Sequence, residues 1–196
     1  MVSIDFESPE LNYRRKFGGG KNQAIAKACG LSKGYRKIID ATAGLGEDSF
    51  ILAALGAEVL LIERHPELFK ALNAAMDRAR ENPELREIIG RMTLLEGDSK
   101  RLIPRLPSPE VILLDPMFPP REKSALVKKP LRLLKELVGE DLDSDELLPI
   151  ALLHATRRVV VKRPKPAGFL NQQKPDFQIV GKSSRFDGYG AGKASI

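Results

Sequence analysis

Apolar residues in this chain fall into short continuous runs, and four of them run into a carboxylate. Ile38-Ile39 leads to Asp40, Val59-Leu60-Leu61-Ile62 to Glu63, Met92-Thr93-Leu94-Leu95 to Glu96, and Val111-Ile112-Leu113-Leu114 to Asp115. Short runs without polar alternation describe strands buried on both faces, as in a parallel sheet. Between them the pattern turns helical, over Glu47 to Leu55, Pro66 to about Asn82 and Lys100 to Leu106. Beyond Asp115 the same reading predicts helices near Pro130 to Val138 and from Ser144 to Thr156, then the strand Arg158-Val159-Val160-Val161-Lys162. Two weaker strands follow, Phe177 to Val180 and Phe186 to Tyr189. Strands alternating with helices predict an α/β fold with a mostly parallel central sheet and helices on both faces. The first 20 residues and the Pro- and Lys-rich stretch from Arg163 to Asp176 read as the mobile parts.

Composition narrows the function classes. A chain of 196 residues with 42% hydrophobic content suits one domain with a real core. No apolar run approaches the roughly 18 residues of a membrane helix. Cys29 is the single cysteine, and the first thirty residues hold no apolar signal core, so a cytoplasmic protein without disulfides is expected. With only His65 and His154 beside that cysteine, no structural zinc site is expected either.

The net charge of +6 conceals opposed blocks. Residues 14–37 carry eight basic side chains and no acid, whereas residues 38–120 carry 14 acids against nine bases. Residues 121–135 hold six bases and only Glu122, residues 136–156 six acids and no Lys or Arg, and residues 157–174 six bases and no acid. Basic blocks gathered on one face would suit a phosphate backbone.

In an open parallel sheet the ligand lies beyond the carboxyl ends of the strands. The first end reads Asp40-Ala41-Thr42-Ala43-Gly44-Leu45-Gly46-Glu47-Asp48, where Gly44 and Gly46 permit a sharp turn and a close approach to a ligand. A dinucleotide fingerprint would want a third glycine where Ser49 stands, and Glu47-Asp48 would repel a pyrophosphate. A cationic cofactor fits better, and S-adenosylmethionine carries both a sulfonium and an ammonium. Glu63 ends the second strand where a carboxylate can accept from both ribose hydroxyls, and Asp98 in Gly97-Asp98-Ser99 is placed for the adenine edge. Glu47 and Asp48 could instead simply complement a helix dipole, and Asp98 could be an ordinary N-cap.

The fourth end, Asp115-Pro116-Met117-Phe118-Pro119-Pro120, bears on the acceptor. An exocyclic amine delocalises its lone pair into the ring and is a poor nucleophile. Asp115 and the Pro116 carbonyl can accept its two protons and turn the lone pair toward a methyl group, while Phe118 offers a stacking face. Asp-Pro-Met-Phe resembles the Asp/Asn-Pro-Pro-Tyr/Phe motif of amino-directed nucleic-acid methyltransferases, with Met117 in place of the second proline. A plain Asp-Pro and Pro-Pro turn is the other reading.

Between about Arg14 and Tyr189 the chain resembles the RsmJ family of small-subunit ribosomal RNA guanine-N2 methyltransferases. The carriers are Arg14-Arg15-Lys16-Phe17-Gly18-Gly19-Gly20, Asp40 to Gly46, Asp115 to Pro119, Lys123 to Lys129, Arg158 to Pro164, and Arg185-Phe186-Asp187. The resemblance implies a Rossmann-like class I methyltransferase fold over residues 37–196, preceded by a basic segment over 1–36 with the Phe-Gly-Gly-Gly motif. It implies S-adenosyl-L-methionine as cofactor, and Glu47, Asp48, Glu63, Arg64, Asp98, Ser99 and Asp115 match the family's cofactor contacts, beside Asp40, Gly44 and Gly46. Asp115, Pro116 and Phe118 would hold the base. Arg14, Arg15, Lys16, Lys123, Lys128, Lys129, Arg158, Lys162 and Arg163 would face small-subunit ribosomal RNA or the ribosomal subunit. Family members carry a further segment before the Arg-Arg-Lys motif, where thirteen residues precede it here, and often a small or hydroxyl residue where Asp98 stands. Other readings of the same residues are an amino-methyltransferase of DNA or protein, and an RNA-binding assembly factor that keeps the fold without catalysis.

Overall fold

The computed structural model describes residues 4–116 and 144–191. The predicted helix near Pro130 to Val138 lies outside them, as do Met117, Phe118, Lys123, Lys128 and Lys129. In chain order the elements are α1 (Pro9–Phe17), α2 (Ala24–Ala28), β1 (Lys37–Asp40), α3 (Glu47–Ala54), β2 (Glu58–Glu63), α4 (Pro66–Glu81), α5 (Pro83–Gly90) and β3 (Met92–Glu96). They continue with α6 (Ser99–Leu102), β4 (Val111–Leu114), α7 (Ser144–His154), β5 (Arg158–Pro164), β6 (Phe177–Val180) and β7 (Ser184–Gly190). Among the described residues no helix is long and apolar enough to cross a membrane.

Seven strands form one sheet in the order β3-β2-β1-β4-β5-β7-β6. The first five are parallel, while β7 runs antiparallel to β5 and β6 antiparallel to β7. Chain order reverses between β1 and β4, so the carboxyl ends of these two strands border the crevice where open α/β sheets bind ligands.

The unbroken apolar runs are explained by burial on both faces. Ile38, Leu61, Leu113 and Val160 pack with Phe6, Phe50, Leu72 and Met76 on one face. Their neighbours Ile39, Ile62, Ile112 and Val161 pack with Ile103, Leu148 and Ala151 on the other. The antiparallel part differs: Arg185, Phe186 and Asp187 of β7, which lies between β5 and β6, are all buried. Arg185 Nε donates to Asp187 Oδ1 at 2.9 Å and its Nη2 to Oδ2 at 3.0 Å. Asp187→Ala would leave that buried guanidinium without its counter-charge, and urea unfolding is expected to show a loss of about 3–5 kcal/mol. A loss below about 1 kcal/mol would mean that the pair is dispensable.

The N-terminal stretch is more ordered than its polarity suggested. Ser8 Oγ accepts from Leu11 N at 3.4 Å and Pro9 opens the first turn, so α1 starts with an N-cap and a proline that lacks the amide a first turn leaves unpaired. Ile4, Phe6 and Leu11 are buried, and the Phe6 ring stacks on Phe50 with centroids 5.1 Å apart. The stretch after β5 is anchored as well, since Leu170 is buried and the Tyr189 hydroxyl donates to the Gln173 carbonyl at 2.9 Å.

Candidate active site

Four strand ends converge at the carboxyl edge. After Asp40 the chain turns through Gly44 and Gly46, at φ 57° and 71°. The two glycines serve different ends. A Cβ on Gly46 would meet Leu72 Cδ1 at 2.9 Å and Phe6 Cζ at 3.3 Å, so this glycine lets α3 seat on the core. A Cβ on Gly44 would find nothing nearer than the Thr42 carbonyl at 3.8 Å, so the open side of the turn is at Gly44.

Glu63 fixes the turn from β2. Its Oε2 accepts from Gly44 N at 3.0 Å and its Oε1 from His65 N at 2.8 Å. A carboxylate offers about four acceptor sites, so beside these amides and that of Arg64 it keeps room to accept from a ribose hydroxyl. Burial raises the Glu63 carboxyl above its ordinary range, and the amides of His65, Gly44 and Arg64 restrain the rise. Asp98 caps α6 by accepting from Lys100 N at 2.9 Å, so the N-cap reading holds for it, and its second oxygen lies 4.0 Å from Arg101 Nε. The Ser99 hydroxyl is buried and donates to the Ala41 carbonyl at 2.6 Å, which ties the ends of β1 and β3 together. Ser99 therefore supports the turn through its side chain rather than offering that side chain to a ligand. Glu47 and Arg64 are exposed at the ends of α3 and β2.

Asp40 is likewise a supporting residue. It is buried, its Oδ2 accepts from Ser49 Oγ at 2.5 Å and its Oδ1 from Thr42 N at 3.2 Å. Burial pushes its carboxyl up to about 7, against the pull of these two hydrogen bonds and with help from the charges of Asp48 and Asp115. A raised acid favours the folded state only while protonated. Its contribution is complete below the unfolded value of 3.8 and is lost as pH rises through about 7. Asp40→Asn is expected to become progressively more stable relative to wild type between about pH 4 and 7, by up to about 4 kcal/mol in all, with no further change above that. Denaturant titrations at several pH values check this, and a stability difference that stays flat across that range would contradict it.

Asp115 follows β4, and its backbone N–H donates to Thr42 Oγ1 at 2.6 Å. Leu114 pairs with Val161, so the next residues on the two strands, Asp115 and Lys162, stand side by side. Lys162 Nζ lies 2.8 Å from Asp115 Oδ2 and 2.7 Å from Asp48 Oδ2, and Asp48 Oδ1 accepts from Arg14 Nη2 at 2.6 Å. The result is an ion-pair chain Arg14–Asp48–Lys162–Asp115 that joins α1, α3, β5 and the end of β4. Burial alone would raise the Asp48 carboxyl, but Lys162 and Arg14 outweigh it and hold the group below the ordinary carboxylate range. Burial alone would lower the Lys162 ammonium, but Asp115 and Asp48 drive it well above the usual lysine value. Asp115 keeps 41% side-chain exposure, with Oδ2 the oxygen that Lys162 engages.

The basic residues expected to face RNA have these partners. Arg14 and Lys162 belong to the ion-pair chain. Arg158 is buried, donates to the Ala28 carbonyl at 2.9 Å and packs on the rings of Tyr35 and Phe177, at 5.1 and 4.9 Å from their centroids. Arg163 is buried with its Nε on the Gly168 carbonyl at 3.0 Å. Arg15 and Lys16 both pair with Glu84, at 3.0 and 3.4 Å. Charge counted along the chain gives the sign of each block but not its partners. Thr42, which holds the Asp115 amide, was not a candidate, although it lies inside the Asp40 to Gly46 motif.

Comparisons with known proteins agree with this arrangement. A family model of SAM-dependent methyltransferases matches residues 1–191. The protein called ribosomal RNA small subunit methyltransferase J in Pseudomonas aeruginosa strain PAO1 is 50% identical over 191 residues, covering 96% of this chain and 73% of its own. Its namesake in Aeromonas salmonicida is 52% identical, covering 96% of this chain and 77% of its own. The crystal structure of a SAM-dependent methyltransferase from Neisseria gonorrhoeae superposes with a TM-score of 0.78 at 39% identity, over 98% of this chain and 76% of that one. An RNA methyltransferase from Salinibacter ruber, solved with S-adenosyl-L-homocysteine, shares the fold at 14% identity, with a TM-score of 0.56 over 88% of this chain and 92% of that one. The five-strand parallel order, the acid-lined glycine turn and these matches lead to one assignment: the chain belongs to the SAM-dependent methyltransferase family, alongside the small-subunit ribosomal RNA methyltransferase J proteins.

Proposed function

We propose that this protein transfers a methyl group from S-adenosylmethionine to the exocyclic N2 amine of a guanine in small-subunit ribosomal RNA. The observation that carries the reading is Asp115, held by Lys162 and Thr42 at the mouth of an acid-lined turn, with an oxygen left for an amine proton. The residues present fit the cofactor: Gly44 leaves room, Glu63 keeps an acceptor site for a ribose hydroxyl, and Glu63 and Asp98 add negative charge at the carboxyl edge. When bound, S-adenosylmethionine supplies an electrophilic methyl on a cationic sulfur.

Asp115 does the rest of the work on the acceptor. Its free oxygen accepts one amine N–H, and the Pro116 carbonyl, from a residue with no amide N–H to compete, is placed to accept the other. With both N–H groups engaged, the lone pair points away from the ring plane and toward the donor. The methyl group would come from the bound cofactor, and the proton that the amine gives up on being methylated would pass to Asp115 or to water. Burial raises the Asp115 carboxyl above its ordinary range, Lys162 restrains that rise, and the same ammonium holds its other oxygen still.

Transfer of labelled methyl to ribosomal RNA from cells lacking the modification, compared with duplex DNA and total protein, tests the substrate. Incorporation into small-subunit RNA alone is expected. Label in DNA or protein with none in RNA would overturn the proposal.

A further inference from the structure

The loop after β5 is held in place by more contacts than a surface connection needs. The buried Arg163 and Arg185 both donate to the Gly168 carbonyl, Nε at 3.0 Å and Nη2 at 3.2 Å, and Arg185 Nη1 donates to the Lys165 carbonyl at 2.6 Å. Leu170 is buried beneath the loop, and Asn171 N donates to Asp145 Oδ1 of α7 at 2.7 Å. Asn171 and Gln172 take left-handed backbone conformations, at φ 49° and 54°, a strain that persists where surrounding contacts enforce it.

What this scaffold presents is Phe169. The Arg185 guanidinium stacks 5.4 Å from its ring centroid, yet Phe169 remains 37% exposed beside a pocket of about 350 Å³. Lys165, Gln178 and Val180 line that pocket with Phe169 and Arg185. Val180 pairs with Arg185 and Arg185 with Arg163, so the pocket sits at the carboxyl edge of β5, the edge that carries Lys162 and Asp115. Strand alternation puts Arg163 on the sheet face opposite Lys162. Residues 157–174 carry no acid, and Lys165, which lines the pocket, is exposed.

An exposed aromatic ring on a well-anchored loop, backed by a guanidinium and with Lys165 in the same pocket lining, has the chemistry of a base-stacking platform with a phosphate contact. Resting on the RNA-methyltransferase reading, we propose that this pocket holds a nucleotide neighbouring the methylated guanine, its base stacked on Phe169 and its phosphate beside Lys165. The site would act on substrate positioning and not on methyl transfer itself.

The chain has no tryptophan, so Phe169→Trp installs a single fluorescent reporter. Its emission is expected to be quenched saturably by ribosomal RNA lacking the modification, and polyphosphate, which has no bases, should not quench it. Phe169→Ala is expected to raise KM for that RNA about tenfold, with kcat and adenosylhomocysteine affinity within about twofold of wild type. Unchanged emission at saturating RNA, equal quenching by polyphosphate, or a wild-type KM in Phe169→Ala would overturn the proposal. Should the wild type fail to methylate the RNA, the function proposed above fails, and the quench alone decides whether the stacking site exists.

Discussion

Replacing Asp115 with alanine is expected to lower methyl transfer by about 10³-fold or more, with adenosylhomocysteine binding within about tenfold of wild type. The fold should survive, because Lys162 keeps Asp48 at 2.7 Å as a counter-ion and the hydrogen bond to Thr42 comes from the backbone of residue 115. Asp115→Asn keeps a carbonyl acceptor at that place but loses the charge that stabilises a developing cation, so its rate should fall between the two. Single-turnover rates with RNA and calorimetry with adenosylhomocysteine separate the two effects. An alanine variant with near-normal turnover would remove Asp115 from the mechanism.

The second large effect is expected at Lys162. Lys162→Met removes the cation between Asp48 and Asp115 and leaves the Asp115 carboxylate facing the charge of Asp48. Turnover at neutral pH should fall about 10²-fold. The sign of the pH dependence is specific. Loss of a neighbouring cation makes Asp115 hold its proton to higher pH, so the rising limb of the rate profile should move to more alkaline pH and part of the activity should return there. Lys162→Arg should restore most of it. A variant that loses activity equally at every pH would point to a purely structural role.

The sequence exposed the repeating logic of the fold and concealed its pairings. Each apolar run ending in Asp40, Glu63, Glu96 or Asp115 became a strand in the parallel part of the sheet; burial on both faces explains the runs of β1, β2 and β4, whereas β3 lies at the edge and is only partly buried. The small polar helices α1 and α5 were passed over, yet both begin with a cap and a proline, Ser8-Pro9 and Asn82-Pro83, and those signals were present. The roles of the basic residues depended on contacts far apart in the chain. Lys162 meets Asp48 across 114 positions, and Arg158 reaches the Ala28 carbonyl across 130. Those contacts follow from sheet register and helix packing, so Lys162, expected at an RNA surface, stands inside the active site. For Asp40 and Ser99 the place was legible but the role was not, since motif position cannot distinguish a side chain that faces a ligand from one that holds the turn behind it.

Nucleoside analysis of small-subunit ribosomal RNA after incubation with the protein and S-adenosylmethionine tests the central claim most directly. The account predicts N2-methylguanosine at one site, formed by wild type and absent with Asp115→Ala. Methylation at a ribose oxygen, a ring carbon or a ring nitrogen, or the same product from the alanine variant, would contradict an amine-directing role for Asp115.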